Sequence, residues 1–279
     1  MIRLTDRLDR GLVEATLDRP VLSGPEGTVR VRDVVGRLQE AGMRAWMAGG
    51  TPRDWLCGKV PQDVDLSLDR DLASVHGLLL ETFPGIDPVV LHLDRFGLLR
   101  WGDPALGELD LNILRNPDDI QNGDMWSTVF VPRADISQDA RTRDFSINAF
   151  YYDCQSGDLL DPLDCGLDDL RTRTLRLIAD PAVLAGSYRM SFRILQFLAR
   201  GYQPSTETAD YLESRLDRDV QGMGPRLLYW ITAHVIERGG DLPAFRADLE
   251  SRVREPASRE VLGRVFGMLE ETSQIFNRL

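Results

Sequence analysis

The chain has 279 residues, 33 of them basic and 44 acidic, which gives a formal net charge of −11. Apolar residues make up 43% and charged residues 28%, proportions typical of a globular protein. No apolar run approaches the roughly 20 residues of a membrane helix, and the N-terminus lacks the apolar core of a secretory signal. We therefore expect a cytoplasmic protein with no membrane partner. The acidic balance excludes a uniformly basic surface, although one local basic face could still bind nucleic acid.

The cysteines and histidines indicate no soft metal site. The three cysteines form no CxxC pair and are predicted to be buried or half-buried thiols that form no disulfide. The three histidines are scattered along the chain and suggest no zinc site. Any metal is therefore expected to be hard and bound by oxygen ligands.

The first half of the chain predicts an alternation of helices and strands. Residues 29–41 carry valines and a leucine at helical spacing and predict an amphipathic helix. The segment RAWMAGG predicts a strand that ends at Gly49 and Gly50. A helix start is predicted next, with Thr51 as its cap and Pro52 as its first helical residue.

The strands predicted next in the chain contain acidic residues. The segment DVDLSLD alternates polar and apolar residues, so it predicts a strand with Asp63 and Asp65 on one face. Residues 89–115 contain two further strand-like runs, VVLHL and GELDLNILR. The second run places Asp110 among apolar neighbours.

From about Asp180 onward the sequence predicts only helices, in the segments YRMSFRILQFLARGY, ETADYLESRL, RLLYWITAHVIERG and REVLGRVFGMLEETSQIF. We therefore predict an α+β fold. Its head, residues 1–179, is expected to be a mixed sheet with flanking helices, and residues 180–279 are expected to form an all-α neck.

The paired aspartates suggest a magnesium site. Carboxylates that project from one strand face can share one or two Mg²⁺ ions, which complete their shells with water and phosphate oxygens. Mn²⁺ is an alternative ion. Two-metal nucleotidyl transfer needs such a cluster, and Asp110 is the best candidate for a third, catalytic carboxylate beside Asp63 and Asp65.

The glycines fit the same chemistry. Gly49 and Gly50 would let backbone N–H groups approach a triphosphate without obstruction by side chains. The helix start that follows favours anions, and Arg53 adds a charge-assisted donor. Taken singly, a DxD strand is more often a solvated face and a glycine pair more often an ordinary turn. Their order within one strand–helix–strand unit favours an active site.

At these residues the chain resembles the class II tRNA nucleotidyltransferases and bacterial poly(A) polymerases, within the polymerase-β-like superfamily. GGTPRDWLCGKVPQDVDL resembles that family's GGxxRDxxLG motif followed by DxD. RTRDFSINAFYYD resembles RRDFTINA, LLDPLDCGLDDL resembles the DP…GxxDL stretch, and LRLIADP matches the strand after it. These motifs occur in the family's order between Trp46 and Pro181.

The resemblance implies roles for individual residues. It makes Asp63 and Asp65 the metal ligands, and it places Asp110 at the position of the third acidic residue. It also implies a polymerase-β-like head and a set of nucleotide-binding residues: Gly50 and Arg53 at the triphosphate, beside the Gly49 already argued from the glycine pair, and Arg143, Asp144 and Asn148 at the nucleotide, notably its ribose. For Asp144 and Asn148, capping and turn stabilisation is the alternative role. Asp139 also matches a family position, and its role is interpreted as structural.

One motif departs from the family's pattern. The base-reading motif EDxxR would place its acidic residues at Gly186 and Ser187, or at Ala185 and Gly186, and neither alignment supplies a carboxylate. Arg189 and Arg193 remain, four residues apart and thus on one helix face. They are candidate base-binding residues, with a solvated helix face as the alternative. Base selection is therefore expected to be altered relative to the family.

The predicted function is Mg²⁺-dependent transfer of a nucleoside monophosphate to a 3′-hydroxyl, with release of pyrophosphate. The expected partners are a nucleoside triphosphate, ATP or CTP, and an RNA 3′ end, with tRNA among the candidates. Family members carry further body and tail domains, for which little of this chain is left. Two alternatives stay open: transfer to a small molecule or protein, and a regulatory nucleotide-binding module without turnover.

Overall fold

The computed structural model describes residues 1–24, 27–84, 97–103, 105–120, 132, 135–178, 184, 187–237 and 239–276. The strands in this part of the chain are β1 (Ile2–Arg3), β2 (Pro20–Gly24), β3 (Gly27–Arg30), β4 (Ala45–Ala48), β5 (Val64–Leu68), β6 (Leu98–Asp103), β7 (Gly107–Ile113), β8 (Tyr151–Asp153), β9 (Leu159–Asp161), β10 (Thr174–Leu175) and β11 (Gln203–Pro204).

The α-helices in the same ranges are α1 (Arg10–Leu17), α2 (Val31–Glu40), α3 (Gly50–Leu56), α4 (Leu72–Thr82), α5 (Ile136–Ala140), α6 (Gly166–Thr172), α7 (Met190–Ala199), α8 (Thr206–Met223), α9 (Arg226–Ile231), α10 (Leu242–Arg252) and α11 (Pro256–Phe276). No described helix combines the length and apolarity needed to cross a membrane.

The chain divides into two compact units. The head unit comprises Met1–Leu170 and Ile178–Val183, and the helical unit comprises Arg171–Leu177 and Leu184–Leu279. The expected α+β class, a mixed sheet with flanking helices and a helical C-terminal portion, is confirmed. The boundary predicted between residues 179 and 180 lies outside the described residues and stays a prediction.

The head unit is built on a seven-stranded sheet with the order β1-β9-β8-β4-β5-β7-β6. Only β5 and β7 pair in parallel, and every other neighbouring pair in this sheet is antiparallel. The two strands that carry the predicted acidic residues are thus direct neighbours in the sheet. The predicted strands at β4, β5 and β7 are confirmed, whereas the run VVLHL lies outside the described residues.

The core explains why these segments form the head. The predicted amphipathic helix is α2, and it buries Val31, Val34, Val35 and Leu38. On β5 the alternate residues Val64, Leu66 and Leu68 enter the same core. Because side chains alternate along a strand, Asp65 and Ser67 project from the opposite face of the sheet.

Three predictions about α3 are wrong, two at its start and one where it ends. Thr51 does not cap the helix, because Gly49 adopts φ +68° and turns the chain so sharply that the helix already begins at Gly50. Pro52 is accordingly the third helical residue rather than the first. Cys57 is exposed where α3 ends, although a buried or half-buried thiol was expected, while Cys154 and Cys165 are half-buried.

The helical unit contains the four predicted helical segments and one helix that was not predicted. The segment around Trp230 is divided into α9 and a π-helical stretch, Thr232–Ile236. The additional helix, α10, buries only Phe245 and Leu249, which gives a weak apolar pattern in the sequence. Its N-terminus is capped by the Asp241 side chain, which accepts from the Ala244 N–H.

Candidate active site

The candidate site begins at the sharp turn between β4 and α3. A Cβ atom added to Gly49 would lie 3.0 Å from Asp65 Oδ2, a contact tighter than nine in ten that real Cβ atoms make, and the positive φ is itself unfavourable for other residues. A Cβ atom added to Gly50 would lie 3.2 Å from Arg53 Nη2. Both glycines therefore let a charged side chain lie directly against the backbone.

The acidic residues are aligned by the register of the sheet. Asp65 is opposite Ala48 of β4 and opposite Asp110 of β7, so the two aspartates occupy equivalent places on adjacent parallel strands. Asp63 immediately precedes β5 and is exposed, whereas Asp65 is half-buried. Thr51 Oγ1 donates to the Asp63 carbonyl at 3.1 Å, which ties this residue to the start of α3.

Asp110 is held by an arginine on the neighbouring strand. Arg100 lies opposite Asp110 in the antiparallel β6–β7 register. Its Nε donates to Oδ1 at 2.7 Å and its Nη2 to Oδ2 at 2.9 Å, a bidentate pair. The hydrogen bonds that Arg100 donates to Asp110 raise the pKa of Arg100 despite its partial burial, and the charges of Asp110, Glu108 and Asp63 act in the same direction.

The donor set fits a hard divalent cation bound by Asp63 and Asp65. Within the described residues, no group of three or more histidine, cysteine, aspartate or glutamate side chains is arranged to hold a metal ion. Mg²⁺, however, is commonly bound by one or two carboxylates with water and substrate phosphate. Because Gly49 has no Cβ, Asp65 Oδ2 can lie against the backbone of the turn. Asp110 already has both oxygens on Arg100, so it is not a ready third ligand.

A chain of side-chain hydrogen bonds orients Arg53. Its Nη1 donates to Asn148 Oδ1 at 2.6 Å, and Nε and Nη2 donate to Asp54 Oδ1 at 3.0 and 2.8 Å. Asn148 Nδ2 donates in turn to Asp144 Oδ1 at 2.9 Å, which also accepts from the Phe145 N–H. Asp144 and Asn148 therefore stabilise this turn, which was the alternative role considered for them. Through Asn148 the same hydrogen bonds also hold Arg53, the predicted phosphate-binding residue.

Arg143 belongs to a buried polar cluster beside the glycine turn. Its Nη2 donates to Asp139 Oδ2 at 2.7 Å and to Ser67 Oγ at 2.8 Å, and its Nε donates to the Tyr151 hydroxyl at 3.2 Å. Arg143 Nη1 lies 3.8 Å from the position of a Cβ on Gly49. The guanidinium is thus anchored on one side and lies close to the turn on the other.

Asp139 is the anion at the centre of this cluster. Only 1% of its surface is exposed. Burial raises the pKa of Asp139, but the charges of Arg143 and Arg115 and the Tyr151 hydrogen bond outweigh it and hold this pKa below its usual range. The backbone N–H of Arg115 donates to Oδ1 at 2.9 Å. These contacts agree with the structural role assigned to Asp139.

The remaining predicted site residues lie in the helical unit. Arg189 is exposed and precedes the first residue of α7, and its carbonyl accepts from the N–H of the half-buried Arg193 at 3.0 Å. Ser187 is buried, whereas residues 185 and 186 lie outside the described ranges. The sheet and its turn therefore bring together the other predicted residues, while Arg189 and Arg193 belong to a separate unit.

Four polar residues of the site were not predicted from the sequence. They are Ser67, Arg100, Arg115 and Tyr151. Each becomes part of the site through a partner distant in the chain or through strand register, so no short motif marks it. The one available signal was the alternation of GLLRWGD and GELDLNI, which pairs Arg100 with Asp110 only if the two runs form a hairpin.

Comparison with known proteins gives this site a family context. Residues 45–176 match the model of the poly A polymerase head domain. The poly(A) polymerase I of Haemophilus influenzae is 27% identical over 227 residues, which cover 75% of this chain and 48% of that protein. The CCA-adding enzyme of Levilactobacillus brevis is 28% identical over 158 residues, which cover 56% of this chain and 37% of that protein.

A solved structure shows the same fold. The Thermotoga maritima CCA-adding enzyme, complexed with tRNA, aligns with 93% of this chain and 52% of its own chain at a TM-score of 0.57 and 17% identity. The chain thus spans about half the length, or less, of the proteins to which it is similar. The predicted resemblance to poly(A) polymerases and CCA-adding enzymes is confirmed.

Proposed function

With a poly A polymerase head domain at residues 45–176 as the premise, we propose that this chain is a divalent-cation-dependent nucleotidyltransferase. It transfers a nucleoside monophosphate from ATP or CTP to a 3′-hydroxyl at the end of an RNA, and pyrophosphate leaves. tRNA is one candidate acceptor, since the similar T. maritima enzyme was solved with tRNA.

The close approach of Asp65 to Gly49 is the observation that carries this proposal. A carboxylate that contacts the glycine turn lies beside the backbone N–H groups that would bind phosphates. An ordinary solvated strand face would have no reason to require a glycine opposite the carboxylate. The in-register placement of Asp110 on the next strand adds a third acid to the same region.

The triphosphate would bind at the start of α3. Backbone N–H groups at Gly49 and Gly50 supply donors, and Arg53 supplies positive charge. Asn148 fixes the Arg53 guanidinium by accepting from Nη1, so the cation is oriented before the substrate arrives. Such preorganisation favours a charged transition state because little reorganisation is needed during reaction.

Asp63 and Asp65 would hold the cation. When bound there, Mg²⁺ or Mn²⁺ supplies a Lewis acid that activates the attacking hydroxyl and stabilises the leaving pyrophosphate. Asp110 keeps further lone pairs beside its two hydrogen bonds from Arg100, so it can accept the proton of the acceptor hydroxyl while Arg100 holds it in place. Arg100 is accordingly a positioning residue for Asp110.

Arg143, Asp144 and Asn148 are proposed to bind the nucleotide while their other hydrogen bonds hold them in place. Arg143 can direct Nη1 toward the phosphates beside Gly49 while Asp139 holds its other nitrogens. The Asp144 carboxylate can also accept a hydrogen bond from a ribose hydroxyl. These roles favour a ribonucleoside triphosphate as the donor.

Base choice is proposed to differ from that of the enzymes to which the chain is similar. Neither Ser187 nor residue 186 offers a carboxylate to accept from the amino group of C or A. Arg189 and Arg193 can only donate to a base. Incorporation assays with each of the four nucleoside triphosphates test this proposal, and strict use of CTP followed by ATP would contradict it.

Labelled nucleotide transfer tests the main proposal. The protein is incubated with each α-³²P-labelled nucleoside triphosphate, Mg²⁺ and total RNA, and the labelled species are identified by gel. We expect label at RNA 3′ ends with the wild type and a loss of at least 100-fold with Asp65→Asn. Glu81→Gln, which removes an exposed carboxylate on α4, is the matched control and should retain full activity.

Two results would contradict the proposal. Labelling of RNA that is equal in the wild type and in Asp65→Asn would mean that the carboxylate takes no part in transfer. Tight ATP binding without pyrophosphate release, across RNA, small-molecule and protein acceptors, would favour a nucleotide-binding module instead.

A further inference from the structure

A second feature of the chain lies in the helical unit, at the end of α8. Tyr188 packs on Gly222 so closely that a Cβ added to this glycine would lie 2.5 Å from the Tyr188 Cε1 atom. Arg226, at the start of α9, donates from Nη2 to the Gly222 carbonyl at 3.0 Å. An aromatic ring and a guanidinium are thus both fixed at one glycine.

Further arginines continue this face along α8. The Arg218 guanidinium lies over the Tyr188 ring, with its carbon 5.6 Å from the ring centroid, and 52% of the side chain is exposed. Arg215 lies one turn earlier, because residues three and four apart occupy the same side of a helix. Its guanidinium carbon is 5.2 Å from the centroid of Tyr211.

The two acidic residues on this stretch have partners within the helical unit. Asp219 is fully buried, where it accepts from Ser191 Oγ at 2.5 Å, and its Oδ1 lies 4.0 Å from Arg218 Nε. Asp217 is half-buried and accepts from the backbone N–H groups of Arg254 and Glu255. Arg218 therefore stays half-exposed beside two carboxylates that are held by other groups.

An unusually exposed aromatic side chain completes the face. Tyr229 is 75% exposed, the highest value among the large hydrophobic side chains in the described part of the chain. It follows Arg226 by three residues on α9, so the two are neighbours on the helix surface. A tyrosine left this accessible to water is available for contact with a partner.

Arg226 also differs from other arginines of the helical unit in its partners. Several of those pair with carboxylates, as Arg252 does with Asp248 at 2.8 Å and Arg254 does with Glu213 at 3.2 Å. Within the described residues, Arg226 has no carboxylate oxygen within 4.0 Å. Its charge is available to a partner even though the whole chain carries −11.

We propose that this tyrosine–arginine face, formed by Tyr188, Arg215, Arg218, Arg226 and Tyr229, binds single-stranded RNA. Arginines that neutralise phosphates, interleaved with exposed rings on which bases can stack, are the two components of sequence-tolerant single-strand binding. An acidic protein would be attracted by the arginines alone and would make no use of two accessible rings. This inference rests on the proposed function, which supplies RNA as the acceptor, and it assigns the surface on which that RNA binds.

Fluorescence anisotropy tests this assignment, with a fluorescein-labelled 12-nucleotide RNA as the probe and no nucleoside triphosphate or divalent cation present. Arg226→Gln is expected to weaken binding by 5- to 10-fold and to reduce the salt dependence by about one unit of slope. Tyr229→Ala is expected to weaken binding by at least 5-fold with the salt slope unchanged, because stacking is lost and charge is not.

The matched control is Arg252→Gln, which removes an arginine that is already paired with Asp248 and should leave RNA binding unchanged. Equal affinity of Arg226→Gln, Tyr229→Ala and the wild type would overturn the assignment. So would tighter binding of a labelled polyglutamate peptide than of RNA, because the face would then recognise an acidic protein.

The same assay separates this inference from the proposed function. Asp65→Asn should bind RNA as the wild type does, since the face contains no residue of the candidate active site. A chain that binds RNA through the face and transfers no nucleotide would overturn the proposed function and support the face. If Arg226→Gln and Tyr229→Ala changed neither the affinity for RNA nor the rate of nucleotide transfer to RNA, the assigned RNA-binding face would be wrong. The proposed function would still stand.

Discussion

Arg53 Nη1 donates a 2.6 Å hydrogen bond to Asn148 Oδ1 across 95 residues of sequence. Arg53 follows the glycine turn, and Asn148 belongs to the segment RTRDFSINA, so this bond joins the two most informative motifs of the chain. The orientation of Arg53, the predicted phosphate-binding residue, therefore depends in part on Asn148, which is predicted to lie at the ribose.

Removal of this bond should impair nucleotide binding more than turnover. Asn148→Ala removes the hydrogen bond from Arg53 Nη1 while the bonds from Arg53 to Asp54 remain, and a hydrogen bond to a charged group contributes about 1.5–3 kcal/mol. We expect KM for the nucleoside triphosphate to rise roughly 10-fold while kcat falls less. Steady-state kinetics of Arg53→Lys, Asn148→Ala and the double variant measure the coupling, and strictly additive effects would show that the two residues act independently.

Gly49→Ala should abolish transfer and destabilise the head unit. The alanine would need φ +68° and would place its Cβ 3.0 Å from Asp65 Oδ2, and each of these strains costs roughly 1–2 kcal/mol. The matched control is Gly36→Ala in the middle of α2, where no heavy atom lies within 4 Å of the added Cβ. That change should stabilise the protein by up to about 1 kcal/mol. Urea denaturation measures both effects, and equal stability of the two variants would contradict the strain argument.

Arg100→Gln should increase cation affinity at the candidate site. The guanidinium pairs with both oxygens of Asp110, and the charge of Asp63 also acts on it, so its removal leaves a more negative cluster. We expect Mn²⁺ to bind roughly 3- to 10-fold more tightly, as measured by the loss of free Mn²⁺ signal in electron paramagnetic resonance. Arg32→Gln removes another arginine that contacts two carboxylates, Glu14 and Asp18, and should change nothing. Unchanged affinity in Arg100→Gln would remove the proposed link between this pair and the cation.

The buried Asp139 should make stability depend on acid pH. Its pKa is lower in the folded chain than in the unfolded chain, so its contribution to stability is complete well above the unfolded pKa of about 3.9 and is lost as the pH falls through the folded pKa. Asp139→Asn leaves the buried Arg143 without its counter-ion and should cost about 3–5 kcal/mol at pH 7. Urea denaturation from pH 7 down to pH 3 should show a flatter loss of stability in the variant. A wild-type profile and a variant profile that run parallel would contradict this assignment.

The sequence was sufficient where local patterns decide the structure. The apolar spacing of α2, the alternation on β5 and the glycines after β4 each predicted the element that is present. Thr51 was misassigned because a cap residue was sought, whereas Gly49 makes the turn by its backbone conformation alone. Local pattern and turn chemistry therefore give the element types but can shift a boundary by two residues.

The residues that hold the site residues in place do so through contacts that no local sequence pattern encodes. Arg100 meets Asp110 through the β6–β7 register, and Tyr151 meets Asp139 through the packing of α5 against the sheet. Each partner carries an ordinary residue type for its position, so the pairing is set by tertiary structure. The bidentate hold of Arg100 on Asp110 is the feature that most changes the expected chemistry, since the predicted third acid is already paired.

The central claim is that Asp63 and Asp65 together bind a divalent cation beside the glycine turn. Mn²⁺ binding, followed by electron paramagnetic resonance in the presence of a non-hydrolysable nucleoside triphosphate, tests it most directly. Asp63→Asn and Asp65→Asn should each weaken binding at least 10-fold, while Glu81→Gln should bind as the wild type does. Mn²⁺ affinity that is the same in all four proteins would contradict the account.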